Sequence, residues 1–224
     1  MAFDIQERPS DSPFVEAIWQ THTNGGSFTS VAFTHHELVV TQERDKLCFT
    51  VRGPETIATP APIPEDAEIF GIVLKHGTFL SPLPAKNLVD NPVNLPEASN
   101  KSFWLHGAAW EMPTFENADT FLARLVREGI LLRDDIVTAV LQNQRPALSP
   151  RSLERRFVQA TGLSQGAILQ IERARQAAAL LEQGVSILDV VEQTGYFDQP
   201  HLNRYLKRLM GQTPAQILKL NQPE

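Results

Sequence analysis

A stretch of twenty residues occurs twice in the last third of this 224-residue chain, and no other feature constrains the fold as strongly. Ser149 to Ile168 can be laid without a gap on Asp198 to Ile217. The coinciding positions are those that start, orient and stop a helix. Ser149 and Asp198 are N-cap types, able to accept from a first-turn backbone N–H that has no partner within the helix. Pro150 and Pro200 fall in the first turn, where a missing N–H costs nothing. Leu153 with Phe157, and Leu202 with Leu206, set apolar side chains four apart on one face, while Arg155 and Arg204 point elsewhere. Gly162 and Gly211 close the two helices, after which Ser164 and Thr213 cap the next ones, Thr213 with Pro214 at its first position.

Each copy is preceded by a further helix. Ser186 to Gly195 is amphipathic, starts on a Ser cap and ends on glycine, with only Tyr196 and Phe197 before the second copy; this is the pattern of a helix-turn-helix. Before the first copy, Asp134 or Asp135 can cap a helix over 136–142. Its turn, from Asn143 to Leu148, is longer than the later one and holds no glycine, and matching Ile136 to Ile187 gives an offset two residues larger than that of the duplicated stretch. Between the units, Ala167, Ile168, Ile171, Ala174, Ala178 and Leu181 recur at helical spacing, with Gly184 as the stop. A helix over Gln165 to Gln183 spans roughly 28 Å. Successive major-groove faces of B-DNA lie ~34 Å apart, so a stiff connector of this length suits two reading helices on one side of a duplex.

The segment from Leu148 to Leu220 resembles the DNA-binding domain of the AraC/XylS family of bacterial transcription regulators. The resemblance is carried by Ser149 to Phe157, Thr161-Gly162, Glu172 to Arg175, Ala179 to Leu181, and above all by Gly195 to Arg204 and Gly211 to Pro214. It implies seven helices with two helix-turn-helix units. It also implies that Arg151, Ser152, Glu154 and Arg155 of the first reading helix, and Gln199, His201, Asn203 and Arg204 of the second, lie near or against the bases. A guanidinium one or two turns into a major-groove helix suits guanine O6 and N7, which makes Arg155 and Arg204 the leading base contacts. Glu154 can accept from cytosine N4 or orient its arginine neighbours. Arg156, Lys207 and Arg208 suit phosphate oxygens, which hold register without reading sequence.

The net charge of −6 is at odds with DNA binding only until it is divided. Residues 144–224 hold 10 Lys+Arg against 7 Asp+Glu, whereas residues 1–143 hold 10 against 19. The basic excess thus sits on the half that carries the duplicated helices. A single cysteine, Cys48, excludes an intramolecular disulfide and a cysteine-based zinc site. No apolar run approaches transmembrane length, the start of the chain lacks the apolar core of a signal peptide, and a cytoplasmic location is expected.

The N-terminal half predicts strands. Phe14 to Gln20 suits a strand or a short helix, and Asn24-Gly-Gly26 is a turn signal between extended segments. Phe28 to Phe33, Glu37 to Thr41, Lys46 to Arg52 and Glu68 to Lys75 are β-rich, with Leu47, Phe49 and Val51 alternating to one face. Pro60, Pro62 and Pro64 are expected to break the sheet. Ser81 to Pro96 should cross the surface as an ordered excursion, and Ser102 to His106 reads as a last strand. From Asn117 onward, Phe121, Leu122, Leu125 and Val126 predict an amphipathic helix ended by Gly129, with Ile130 to Leu132 leading into the first DNA-binding unit.

The fold class expected is therefore α+β. Residues 1–112 form a small β-rich barrel or sandwich, a cupin-like barrel among its options, that senses an effector or makes a dimer. Residues 113–133 are a helical connector, and residues 134–224 an all-α domain with two helix-turn-helix units joined by a long helix. Five histidines, His22, His35, His36, His76 and His106, lie in the N-terminal half, but neighbours in a strand point to opposite faces, so His35 and His36 cannot share one interior. Neither a metal site nor a cofactor is expected, and Cys48 is expected to be inert packing. Trp19, Trp104 and Trp110 suit core packing better than an effector pocket. The expected partners are double-stranded DNA and RNA polymerase, with a small-molecule effector and a second copy of the chain as further ones, and no membrane. The expected function is a sequence-specific DNA-binding transcription factor rather than an enzyme; the rivals are a cupin-like metalloenzyme and a DNA-repair enzyme carrying the same module, the latter needing several cysteines.

Overall fold

The chain is described as a computed structural model over residues 4–220. Eleven strands and seven helices are ordered β1 (Ile5–Arg8), β2 (Val15–Ser30), β3 (Glu37–Glu43), β4 (Lys46–Arg52), β5 (Thr59–Leu74), β6 (Thr78–Leu80), β7 (Val93–Asn94), β8 (Glu97–Ser99), β9 (Ser102–Leu105), β10 (Ala108–Glu111), α1 (Ala118–Arg127), β11 (Leu131–Arg133), α2 (Asp135–Leu141), α3 (Pro150–Thr161), α4 (Gln165–Glu182), α5 (Ile187–Thr194), α6 (Gln199–Leu209) and α7 (Pro214–Leu220) among the described residues. A β-rich N-terminal part precedes a helical C-terminal part, so the protein is α+β. The chain makes two compact units that are discontinuous in sequence. One takes residues up to 26, 35–54 and 62–165; the other takes 27–34, 55–61 and the residues from 166 onward.

In the first unit a six-stranded sheet has the order β1-β2-β5-β3-β4-β7. β3 is its centre, pairing antiparallel with β4 from Glu37–Arg52 to Glu43–Lys46 and with β5 from Glu37–Val73 to Glu43–Ala67. Alternation does the sorting. Leu38, Val40, Phe49, Val51, Phe70, Ile72 and Leu74 all turn into one buried cluster, which the apolar face of α1 completes with Leu122 and Leu125. Phe49 stacks on Phe103 at 4.2 Å, and Trp110 meets Phe121 edge-on at 6.2 Å.

Three expectations about the strands are corrected. Asn24-Gly-Gly26 does not reverse the chain: β2 runs through it, with Gly25 and Gly26 at φ 77° and 113° absorbing a local distortion that other residues resist. Pro60, Pro62 and Pro64 do not break the sheet but lie inside β5, ahead of its ladder with β3, which begins at Ala67. A proline is tolerated where no ladder N–H is required. Ser102 to His106 is not the last strand, because β9 turns at Gly107 and pairs with β10. Leu131 to Arg133, which leads into α2, is also a strand: β11 pairs with β6, Leu131 opposite Leu80. Of the tryptophans, Trp110 is buried in the core and the indole of Trp19 lies over Gly71, but Trp104 is exposed, which overturns core packing for that residue.

His36 is buried in this unit, and its Nε2 has no hydrogen-bond partner among the described residues. Burial lowers its pKa to about 4; a hydrogen bond with the Thr78 backbone pulls upward, and the charge of His76 adds to the lowering. The folded state thus holds His36 neutral while the unfolded chain takes up a proton near the ordinary pKa of 6.5. Stability from this group is complete above pH 6.5 and is lost as the pH falls toward 4. By linkage the loss at pH 5 is about 2 kcal/mol. Urea unfolding at pH 7 and pH 5 should show that loss, and His36→Gln should remove most of the pH dependence. A difference unchanged in the variant would assign it to other groups.

Candidate nucleic-acid interface

Both expected reading helices form, and both start as their sequences dictate. The Ser149 side chain accepts from the Ser152 N–H at 3.2 Å at the head of α3, and Asp198 Oδ1 accepts from the His201 N–H at 2.7 Å at the head of α6. Ser186 caps α5 in the same way, accepting from Asp189 at 3.2 Å. The sequence left the cap of α2 open between two aspartates. It is Asp134, whose Oδ1 accepts from the Ile136 N–H at 3.1 Å.

In the first unit, α2 grows directly out of β11. The Asp134 N–H donates to the Gly77 carbonyl at 2.8 Å, and the Thr138 hydroxyl to the His76 carbonyl at 2.9 Å. Phe157, Ala160 and Thr161 are buried along one side of α3. The far end of α3 is fixed by a close approach: Gly162 sits at φ 78°, and a Cβ there would lie 2.7 Å from the Ala85 carbonyl oxygen. Only glycine meets both demands. The opposite side of α3 carries Arg151, Glu154 and Arg155, all exposed, and Ser152, half-buried. One turn along, Arg156 is committed differently. Its guanidinium pairs with Asp134 Oδ2 at 2.7 Å, so the residue that caps α2 also ties α3 to it.

In the second unit, α5 packs on α6 and α6 on α7. Leu202, Leu206 and Leu209 turn inward, while Gln199, Asn203, Arg204, Lys207 and Arg208 are exposed. His201 stands apart from these. It is half-buried, its ring meets Tyr205 at 4.9 Å and Tyr196 at 5.3 Å, and its Nδ1 accepts from the Phe197 N–H at 3.3 Å. In the neutral ring that bond leaves the proton on Nε2, which makes the other nitrogen a donor. Burial pushes the Tyr196 hydroxyl up to about 12, so it stays protonated. Lys207 Nζ donates to the Gly211 carbonyl at 2.9 Å, across the end of its own helix.

Residues that the sequence offered no reason to choose hold the far end of α6. The Ala32 N–H donates to the Leu209 carbonyl at 2.7 Å and the Ala58 N–H to the Arg208 carbonyl at 2.8 Å. These are carbonyls that a helix cannot satisfy from within. The same two segments bridge to each other through Phe33 and Glu55, at 2.9 and 2.8 Å. Arg175 of α4 lies over the Phe33 ring at 4.9 Å, and the Thr34 hydroxyl bonds Glu172. Of the resemblance block Glu172 to Arg175, both ends therefore brace the fold. Nothing local marks Ala32 or Ala58, since their partners lie far along the chain.

Residues 144–219 match the model of a family described as a helix-turn-helix domain, and this domain is of the AraC type. The match supports a DNA-binding transcription regulator. Neither a curated protein nor a solved structure matches the chain. No helix among the described residues is long and apolar enough to cross a membrane.

The double duty of Asp134 can be separated by substitution. Asp134→Ala removes cap and ion pair together and should cost about 1 to 2 kcal/mol of unfolding free energy. Asp134→Asn keeps a capping oxygen and should lose well under half of that. Equal losses in urea denaturation would mean that the cap contributes nothing.

Proposed function

We propose that this AraC-type regulator binds a specific duplex sequence by placing α3 and α6 in adjacent major grooves. The observation that carries the proposal is the pairing of two capped helices whose buried sides are apolar and whose exposed sides hold arginines without a described partner. Arg155 and Arg204 contact guanine O6 and N7, and Arg151, Ser152, Glu154, Gln199, His201 and Asn203 complete the base contacts. For His201 the support is its Nε2–H, a donor set in orientation by two tyrosines. Arg208 and Lys207 hold phosphates, and Arg156 does so from its pair with Asp134. α4 has 18 residues and therefore spans about 27 Å, a length compatible with grooves ~34 Å apart.

The β-rich N-terminal part senses a small effector or makes a dimer, and the response is read by RNA polymerase at a neighbouring promoter in the cytoplasm. The absence of a loose tether supports coupling: α1 and β11 sit between the sheet and α2, and β11 is itself paired into the first unit. The first test is selection of bound duplexes from a random pool at low ionic strength, followed by footprinting. A protected site about one helical turn beyond the first supports the two-groove reading; no protected sequence refutes it.

On the selected site, Arg204→Ala should cost about 1 to 3 kcal/mol and relax preference at one base pair. Lys207→Ala should instead weaken all sequences alike and lower the slope of log affinity against log salt by about one. Fluorescence anisotropy over site variants separates these outcomes. Equal, sequence-blind losses for both would end this division between reading and holding.

A further inference from the structure

The side of α3 that carries the proposed base contacts does not face open space throughout. Within the first unit, the stretch from Phe79 to Lys86 lies beside it, and the two flank an open cleft of about 860 Å³. That volume lies within the range of roughly 300 to 1,000 Å³ in which proteins hold small molecules. Lys86, Arg151 and Arg155 line it together with a single acid, Glu154. Among the described residues no acidic side chain pairs with any of the three cations. The remaining walls are largely apolar, with Leu83 on one side and Val158 on the other.

We propose that this cleft binds a small organic anion with an apolar body, and that its occupant competes with duplex DNA for Arg151 and Arg155. The second half of the statement rests on the function proposed above. Three cations against one acid leave two positive charges facing the same space, which an anion can bridge with oxygens that accept from more than one donor. The apolar walls set the rest of the ligand: an inorganic ion would leave them wet, whereas a hydrocarbon body buries against them. A helix that enters a major groove must offer this same side to the base edges, so an occupied cleft and a bound duplex exclude each other. The regulatory signal then needs no route through the fold, because ligand and DNA use the same guanidinium groups.

The test uses the full chain and three probes that divide the two demands: octanoate has charge and body, acetate has charge alone, and 1-octanol has body alone. Calorimetry should show octanoate binding with one equivalent, and acetate and octanol weaker by about tenfold or more. Lys86→Gln should weaken octanoate by about tenfold, as expected for one lost charge-assisted hydrogen bond, while leaving duplex affinity without octanoate unchanged. Leu83→Gln should weaken octanoate and leave acetate as it was. In anisotropy titrations, octanoate should raise the apparent Kd for the selected duplex in wild type and far less in Lys86→Gln. Failure of octanoate to bind, or equal binding by wild type and Lys86→Gln, overturns the site. Binding without any effect on the duplex overturns the competition. If the protein binds no duplex at all, the competition falls with the functional reading, and calorimetry still decides the cleft.

Discussion

A helix that is to meet a partner with one side must have its ends satisfied from elsewhere, and the second unit is arranged around that constraint. The first N–H groups and last carbonyls of any α-helix lack partners within it. At the head of α6 the debt is local, settled by Asp198 three residues upstream of the N–H it accepts from. At the foot it is not: the Arg208 and Leu209 carbonyls take the amides of Ala58 and Ala32, which come from the β-rich half of the sequence. Gly211 tightens this junction, since a Cβ there would meet Thr29 at 2.8 Å. The foot of a proposed reading helix is thus built by residues more than a hundred positions away. A fragment starting at residue 134 would contain α6 and lack both donors.

The same asymmetry decides what could be seen in the sequence. Caps, helix stops and apolar faces are properties of neighbours, so Ser149, Ser186, Asp198, Gly162 and Gly195 announce the helices they bound, and Leu47, Phe49 and Val51 announce the buried side of β4. Turn chemistry is also local, but its outcome is not. Asn24-Gly-Gly26 allows a reversal and equally allows a strand to pass through at positive φ, and the long partner strand β5 favours the second. The prolines of β5 mislead for a related reason, since a proline forbids only the particular hydrogen bond its nitrogen would make. β11 has three residues and no pattern of its own; it exists because Thr78 to Leu80 offer it an edge.

The candidate interface divides along the same line. That α3 and α6 carry arginines on an exposed side follows from periodicity. That Arg156 is held by Asp134, that His201 is wedged against two tyrosines, and that a cleft lies in front of α3 depend on packing between elements, which no spacing encodes.

Net charge is a poor guide to which cations a nucleic acid would meet, because a cation already bonded within the protein has fewer donors left for anything else. The commitments of the arginines make a finer distinction. Arg156 gives one guanidinium nitrogen to Asp134, Arg175 is committed to Phe33 and the Ala32 carbonyl, and Arg173 lies 5.8 Å from the Tyr196 ring centre. Arg151, Arg155, Arg204 and Arg208 have no described partner, and all four lie on exposed sides of α3 and α6. Leaving a guanidinium unpaired at a surface is inexpensive, since water solvates it, and it keeps the full bidentate donor set available to a planar acceptor. A modest basic excess of this kind suits specific recognition better than a large one: each added phosphate contact raises affinity for every sequence, whereas a few free guanidinium groups on rigid, capped helices raise it for the sequences whose base edges they fit.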